Sequence, residues 1–306
     1  MERADFHTHS NCSDGELSPI QLLERAADNG VTMLSITDHD TLEAYTDSTY
    51  LVAEEKGIVL VPGVEISAVD TDGTKAHILG LGIDPSNERL VGSLADQNLA
   101  RAAYTDTVVD LLSEAGWHLN SRILRAAETT ITKAHIARSV TENPDNKHRL
   151  EKIFGNIPTP GAFIEAFLLR GQEFYVSSSG MMTSEEAVAV IHFAGGMACY
   201  AHPVASLFEA DLDKDALVEK IRSSNVDAVE AQYIYYSKRL RDQQFDMRAE
   251  FSVVADELSL FSSGGSDFHA PSSMYGNYVD IGYSNLDQAV QTEIIVALQP
   301  LVDRFS

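Results

Sequence analysis

Three short segments near the N-terminus, at 3–6, 33–37 and 58–62, read as strands and are separated by two stretches that carry helix punctuation. Ser18 and Pro19 supply an N-cap and a proline at the first helical position, and Gly30 supplies a stop. Thr41 is the expected cap of a second helix that ends near Gly57. Asp72 and Gly73 then predict a hairpin turn, followed by a strand over 76–81. This β-α-β-α-β order predicts parallel strands with helices outside, in a barrel or an open sheet, because a crossover between parallel strands needs a helix.

The alternation stops after about residue 90. The stretch 91–179 reads as mostly helical, punctuated by Asn143-Pro144-Asp145-Asn146 and Pro158-Thr159-Pro160. It is expected to be a helical subdomain inserted between two parts of one α/β domain, 1–90 and 180–306. The alternation then returns, with a helix over 184–195, strand 197–201, helix 214–223 and strand 226–231. A helix running through 255, strand 260–263 and a last helix from near 285 complete the pattern. With 306 residues and 44% hydrophobic content, the chain can bury a full core.

The net charge of −24 argues against sequence-independent binding to duplex DNA, since such a surface repels a polyanion. A small phosphorylated substrate remains compatible, because bound cations reverse the potential locally. The two cysteines, Cys12 and Cys199, form no framework and are expected as free thiols. No run of 18 apolar residues predicts a membrane span, and Met1 to Asp5 carries no apolar signal region, so a cytoplasmic protein is expected.

The chemistry concentrates where predicted strands stop. Of ten histidines, six lie at or within these strands: His7, His9, His39, His77, His202 and His269. In parallel α/β folds the carboxyl ends of the strands converge, so residues far apart in sequence can meet there. His7 and His9 are two apart in an extended segment and share a face. Asp267 and His269 repeat that spacing after a late strand. Thr37-Asp38-His39-Asp40 and Gly63-Val64-Glu65 end the second and third strands. Taken singly, Asp14 in Ser13-Asp14-Gly15 also reads as a turn residue, and His77 as a core histidine beside Leu79 and Leu81. Six imidazoles with the carboxylates Asp14, Glu65 and Asp267 suit Mn²⁺, Fe²⁺ or Zn²⁺ and exceed what one cation needs, so two or three divalent cations are expected. His118, His148 and His192 are expected to be structural or surface residues without partner acids.

As a set these pieces resemble the PHP (polymerase and histidinol phosphatase) superfamily: His7-Thr8-His9, Ser13-Asp14-Gly15, Thr37 to Asp40, Gly63 to Glu65, His77, Ala201-His202-Pro203 and Gly264 to His269. The resemblance runs from residue 7 to 269. It implies a distorted (β/α)₇ barrel with metals at one rim. It also implies one cation held by His7, His9, Glu65 and Asp267, a second by Asp14, His39 and His269, and a third by Glu65, His77 and His202, with Glu65 bridging.

The chain looks most like the branch with a helical insertion, which includes enzymes acting on nucleoside 3′,5′-bisphosphates and on RNA 5′ ends. That branch carries an Arg-x-His-x-Ala-Arg-like motif in the insertion, and Lys133-Ala134-His135-Ile136-Ala137-Arg138 stands in its place. Lysine keeps the charge but loses the bidentate fork. Gly171-Gln172-Glu173 is a second departure, where relatives often carry a lysine. The resemblance implies phosphate binding by Lys133, His135 and Arg138. It further implies hydrolysis of a nucleotide monoester, or a short RNA end, by metal-activated hydroxide, with Asp40 or His135 moving the leaving-group proton. A histidinol-phosphate-type phosphatase and a non-catalytic metal- or nucleotide-binding module are the alternatives. The tyrosines at 233, 235 and 236 are expected to pack rather than to stack on a base.

Overall fold

The structure, a computed structural model, describes residues 3–126, 131–169, 171–176, 180–209, 212–237, 243–269 and 280–282, with 295, 296, 299 and 304. Its contacts divide the chain into two compact units, Met1–Leu94 with Met182–Ser306, and Ala95–Met181.

The first unit is mixed α/β. β1 (Ala4–Asp5), β2 (Met33–Leu34) and β3 (Val59–Leu60) form a parallel sheet in that order, linked by α1 (Pro19–Asp28) and α2 (Asp47–Lys56). α1 opens with a capping box in which Ser18 accepts from the Gln21 amide and the Gln21 side chain accepts from the Ser18 amide. Its Leu22, Leu23 and Ala26 recur at helical spacing and pack with Leu34, Ile36 and Leu60. α2 begins later than the sequence suggests. Thr46, not Thr41, caps it, accepting from the Thr49 amide at 3.2 Å. Thr41 instead accepts from the Glu43 amide at 3.3 Å in a turn of its own, a local bond that competes with capping.

β4 (Gly63–Val69) and β5 (Lys75–Leu81) form an antiparallel hairpin around Asp72 and Gly73, with Gly73 at φ 82. Glu65 therefore lies inside a seven-residue strand rather than at the end of the third. α3 (Glu88–Glu114) follows. The second unit contains α4 (Ser121–Ala126), α5 (Lys133–Thr141), α6 (Lys147–Phe154) and α7 (Pro160–Phe167). Its core joins Val108, Leu112, Trp117, Ile136, Val140 and Phe163, with the Trp117 and Phe163 rings edge to face at 5.3 Å.

The first unit resumes with α8 (Ser184–Phe193), β6 (Met197–Tyr200), α9 (Pro203–Glu209), α10 (Lys214–Ser223) and β7 (Ala228–Gln232). β8 (Ile234–Ser237), β9 (Gln243–Asp246), α11 (Arg248–Leu258) and β10 (Phe261–Gly264) follow. The second sheet has the order β10-β7-β6-β5-β4. β6, β7 and β10 are parallel neighbours, whereas β5 is antiparallel to both β4 and β6. The hairpin expected at Asp72-Gly73 interrupts the parallel order at β4 and β5, because a short turn can only return the chain antiparallel. The helix expected after β7 is preceded by the antiparallel hairpin β8–β9. Tyr235 and Phe245 face each other there and pack on Phe208, a use that suits aromatic strand formers. The last helix, expected from near 285, lies outside the described residues.

Successive residues of β7 face opposite ways. Ala228 joins Phe6, Met33, Leu79, Leu81 and Cys199 in a cluster drawn from both sheets, whereas Val229 and Ala231 pack with Phe251, Val254 and Ala255 of α11. Two parallel bridges, Thr8 with Phe268 and His39 with Glu65, connect the segments that continue the strands. Cys12 and Cys199 are free thiols. Among the described residues, no helix is long and apolar enough to cross a membrane.

Candidate metal centre

The segments that leave β1, β2 and β10 meet at those bridges. The Thr37 amide donates to Thr8 O at 2.8 Å, the His9 amide to Phe268 O at 2.8 Å and the Asp267 amide to His7 O at 2.8 Å. Two glycines permit the approach. A Cβ on Gly265 would stand 2.4 Å from His7 Cβ, and one on Gly15 would stand 2.3 Å from His9 O. Asp38 fixes the loop that carries Asp14, accepting from the Ser10 amide at 2.7 Å and from the Ser10 and Ser13 hydroxyls at 2.6 Å each.

All nine residues expected as ligands fall in this unit, and short contacts tie them to one another. His7 Nε2 and His9 Nε2 are 3.1 Å apart. Glu65 Oε2 lies 3.3 Å from the first and 3.1 Å from the second, and Asp267 Oδ1 lies 3.4 and 3.3 Å from them. Donors held in a tetrahedron around one Zn²⁺-sized cation stand about 3.3 Å apart. The other oxygen of Glu65 meets His77 Nδ1 at 2.9 Å and His202 Nε2 at 3.1 Å, while His39 Nδ1 lies 3.2 Å from Oε2. Asp14 stands 3.3 Å from His269 Nε2 and 3.8 Å from both His39 Nε2 and His9 Nδ1. His9 and Glu65 are buried, and the Nδ1 atoms of His9 and His202 have no hydrogen-bond partner among the described residues. The donor set, its spacing and these buried nitrogens fit divalent cations.

Burial opposes charge throughout the cluster, yet opposite charges override it. Glu65 lifts His202 up to about 9, and Asp14 with Asp267 lifts His269 up to about 10. Burial would raise Asp14, but His269 and His39 hold it well below the usual carboxylate range. At His39 burial wins and pushes the imidazole down to about 3. The backbone is strained at the same place, with Asp40 at φ 51, His202 at φ 27 and Asp267 at φ 51. Such conformations cost a non-glycine residue roughly 1–3 kcal/mol each and collect at functional sites.

The remaining expected site residues are placed differently. The buried Asp40 carboxylate accepts from the Ser67 amide at 3.0 Å, so it fastens β4. Lys133, His135 and Arg138 belong to α5 of the other unit. Lys133 Nζ lies over the Tyr104 ring at 5.7 Å, His135 Nδ1 takes a hydrogen bond from the Thr132 amide at 3.2 Å, and Arg138 pairs with Glu142 at 3.1 Å. His192 does have a partner acid, contrary to expectation. Its Nε2 lies 2.7 Å from Asp227 Oδ2, which also accepts from the Ala198 amide.

Two contacts to the cluster were not anticipated. Tyr233 donates to Asp267 Oδ2 at 3.2 Å. Glu230, fully buried, faces His7 Nδ1 at 3.0 and 3.1 Å. The available signal is Glu230 itself, an acid set between Val229 and Ala231 in a predicted strand.

Known proteins with related sequences bear on this geometry. The PHP domain model matches residues 5–166. A 5′-3′ exoribonuclease of Salmonella typhimurium is 32% identical over 87% of this chain and 85% of its own length. A 3′,5′-nucleoside bisphosphate phosphatase of Chromobacterium violaceum is 30% identical over 89% of this chain and 88% of its own. The crystal structure of a protein described as a metal-dependent phosphoesterase, from Bifidobacterium adolescentis, covers 96% of each chain with a TM-score of 0.73 at 25% identity. With its histidine and carboxylate cluster at the meeting of these strands, the chain belongs to the PHP domain family and is a metal-dependent phosphoesterase.

Proposed function

We propose that this protein hydrolyses a phosphate monoester of a small nucleotide, such as a nucleoside 3′,5′-bisphosphate, using two or three divalent cations of the Mn, Fe or Zn class. The observation that carries the reading is Glu65, whose two oxygens face five imidazoles at 2.9–3.3 Å. His7, His9, Glu65 and Asp267 would hold one cation, Asp14, His39 and His269 a second, and Glu65, His77 and His202 a third. The cations supply Lewis acidity toward the phosphoryl oxygens and lower the pKa of water.

The chain's own residues orient and hold. Glu65 fixes the spacing of the positions it shares. Asp38 keeps the Asp14 loop against the His7–His9 segment. Lys133, His135 and Arg138 supply positive charge or donors for a phosphate, and Asp40 or His135 moves the leaving-group proton. The closed (β/α)₇ barrel is the architecture we favour for the first unit. The two parallel bridges and the core cluster drawn from both sheets support it. The second unit serves as the inserted helical subdomain.

Turnover of adenosine 3′,5′-bisphosphate, a short 5′-phosphorylated RNA and histidinol phosphate, assayed side by side with Mn²⁺, tests the substrate class. Preference for the bisphosphate is expected. The RNA as best substrate would shift the reading to exonucleolytic cleavage, and histidinol phosphate as best substrate would overturn it. Lys133→Ala is expected to raise KM about tenfold, the loss of one charged hydrogen bond.

A further inference from the structure

We propose that Glu230 is a positioning residue that couples two of the cation positions. It would fix the His7 imidazole through its far nitrogen and the His202 segment through its backbone. This rests on the reading that His7 and His202 bind cations.

Glu230 lies on the inner face of β7, two residues beyond the small Ala228 of the core cluster shared by both sheets. It is fully buried, and a carboxylate in that position is unfavourable unless donors surround it. Its donors are two candidate ligands. Both oxygens face His7 Nδ1 at 3.0 and 3.1 Å, and Oε2 also accepts from the His202 amide at 2.7 Å.

The first contact determines which nitrogen of His7 carries the proton. A carboxylate can only accept, so Nδ1 must donate, and the lone pair is left on Nε2. Nε2 is the atom that faces His9, Glu65 and Asp267. The second contact anchors a strained turn. His202 stands at φ 27 and precedes Pro203, and the Glu230 bond holds its amide in that conformation. The His7 and His202 rings consequently stack at 5.7 Å and 22°, with donor atoms that fall within 4.8 Å of each other and of Asp267. The hydrogen bonds of Glu230 among the described residues go to His7 and His202, not to Asp14, His39 or His269.

The test is Glu230→Gln. The amide keeps the shape, but whichever way it is turned its N–H₂ opposes the His7 Nδ1–H or the His202 amide. Wild-type and E230Q protein are stripped, reloaded with Mn²⁺ and analysed by elemental counting and titration calorimetry. The expected result is loss of at least one cation per chain and a 10–100-fold weaker binding of another, with an unchanged circular dichroism spectrum. Unchanged number and affinity in E230Q would overturn the coupling while leaving the ligand assignment intact. A wild-type protein that binds no cation would overturn the assignment itself, and this inference with it. Should E230Q fail to fold, nitrogen-15 spectra of the zinc-loaded wild-type protein decide. A protonated Nδ1 on His7 supports the inference, and an unprotonated one overturns it.

Discussion

Tyr233 donates its hydroxyl to Asp267 Oδ2 at 3.2 Å, while Asp267 Oδ1 faces His7 and His9 at 3.4 and 3.3 Å. One carboxylate is thus held from one side and offered to the cluster from the other. Tyr233→Phe removes the hydroxyl but keeps the ring beside His202, at a centroid distance of 5.9 Å. Mn²⁺ affinity is expected to fall about tenfold with little change in fold, as when an outer partner of a ligand is lost. Titration calorimetry of the two proteins checks this, and equal affinities would contradict it.

Glu65→Gln keeps the side-chain volume but replaces an anion that faces five imidazoles with a neutral amide. Loss of a shared ligand should exceed the effect of losing an outer partner, so kcat/KM toward a generic phosphate monoester is expected to drop by more than about 100-fold. A drop under tenfold in correctly folded protein would show that Glu65 is not shared between cations.

The stability of chelated protein should depend on pH in one direction. His202 and His269 are raised to about 9 and about 10 against an ordinary 6.5. Histidines raised in the folded state contribute stability that is fully present below pH 6.5 and lost as pH rises through their folded values. His39, pushed down to about 3, works in the opposite direction, but only near pH 6.5, where its unfolded form still binds part of a proton. Thermal midpoints of chelated protein are therefore expected to fall from pH 6.5 to 9. Mn²⁺-saturated protein, whose imidazoles bind metal rather than protons, should lack that fall. Parallel curves would contradict the prediction.

The corrected start of α2 is testable by itself. Thr46→Ala removes the bond to the Thr49 amide and should destabilise the protein by about 1 kcal/mol in urea unfolding. No change would return the cap to Thr41.

The candidate ligands were legible in the sequence because most break their surroundings. An imidazole or carboxylate just beyond a strand has no core role, and five predicted strands stop beside one, whereas Asp14 and His77 join the set through the resemblance. The cap at Thr46 was not legible, because Thr41 satisfies the same local rule and only the bond to the Glu43 amide decides between them. The β8–β9 hairpin was hidden for a different reason. Its aromatic residues pack on Phe208 of α9, a contact with no local signature. Glu230 lies on the strand expected over 226–231 and Tyr233 just beyond it, between β7 and β8, but their roles depend on partners more than 200 and 30 residues away. Pairings at that separation come from topology, which periodicity alone does not specify.

The most direct test of the metal centre is a cation count on wild-type protein and His9→Ala after reconstitution with Mn²⁺, read beside phosphatase activity. Two or three cations per wild-type chain are predicted, with a lower count and activity abolished in a folded H9A protein. A wild-type chain that retains less than one cation, or an H9A protein with full activity, would contradict the account.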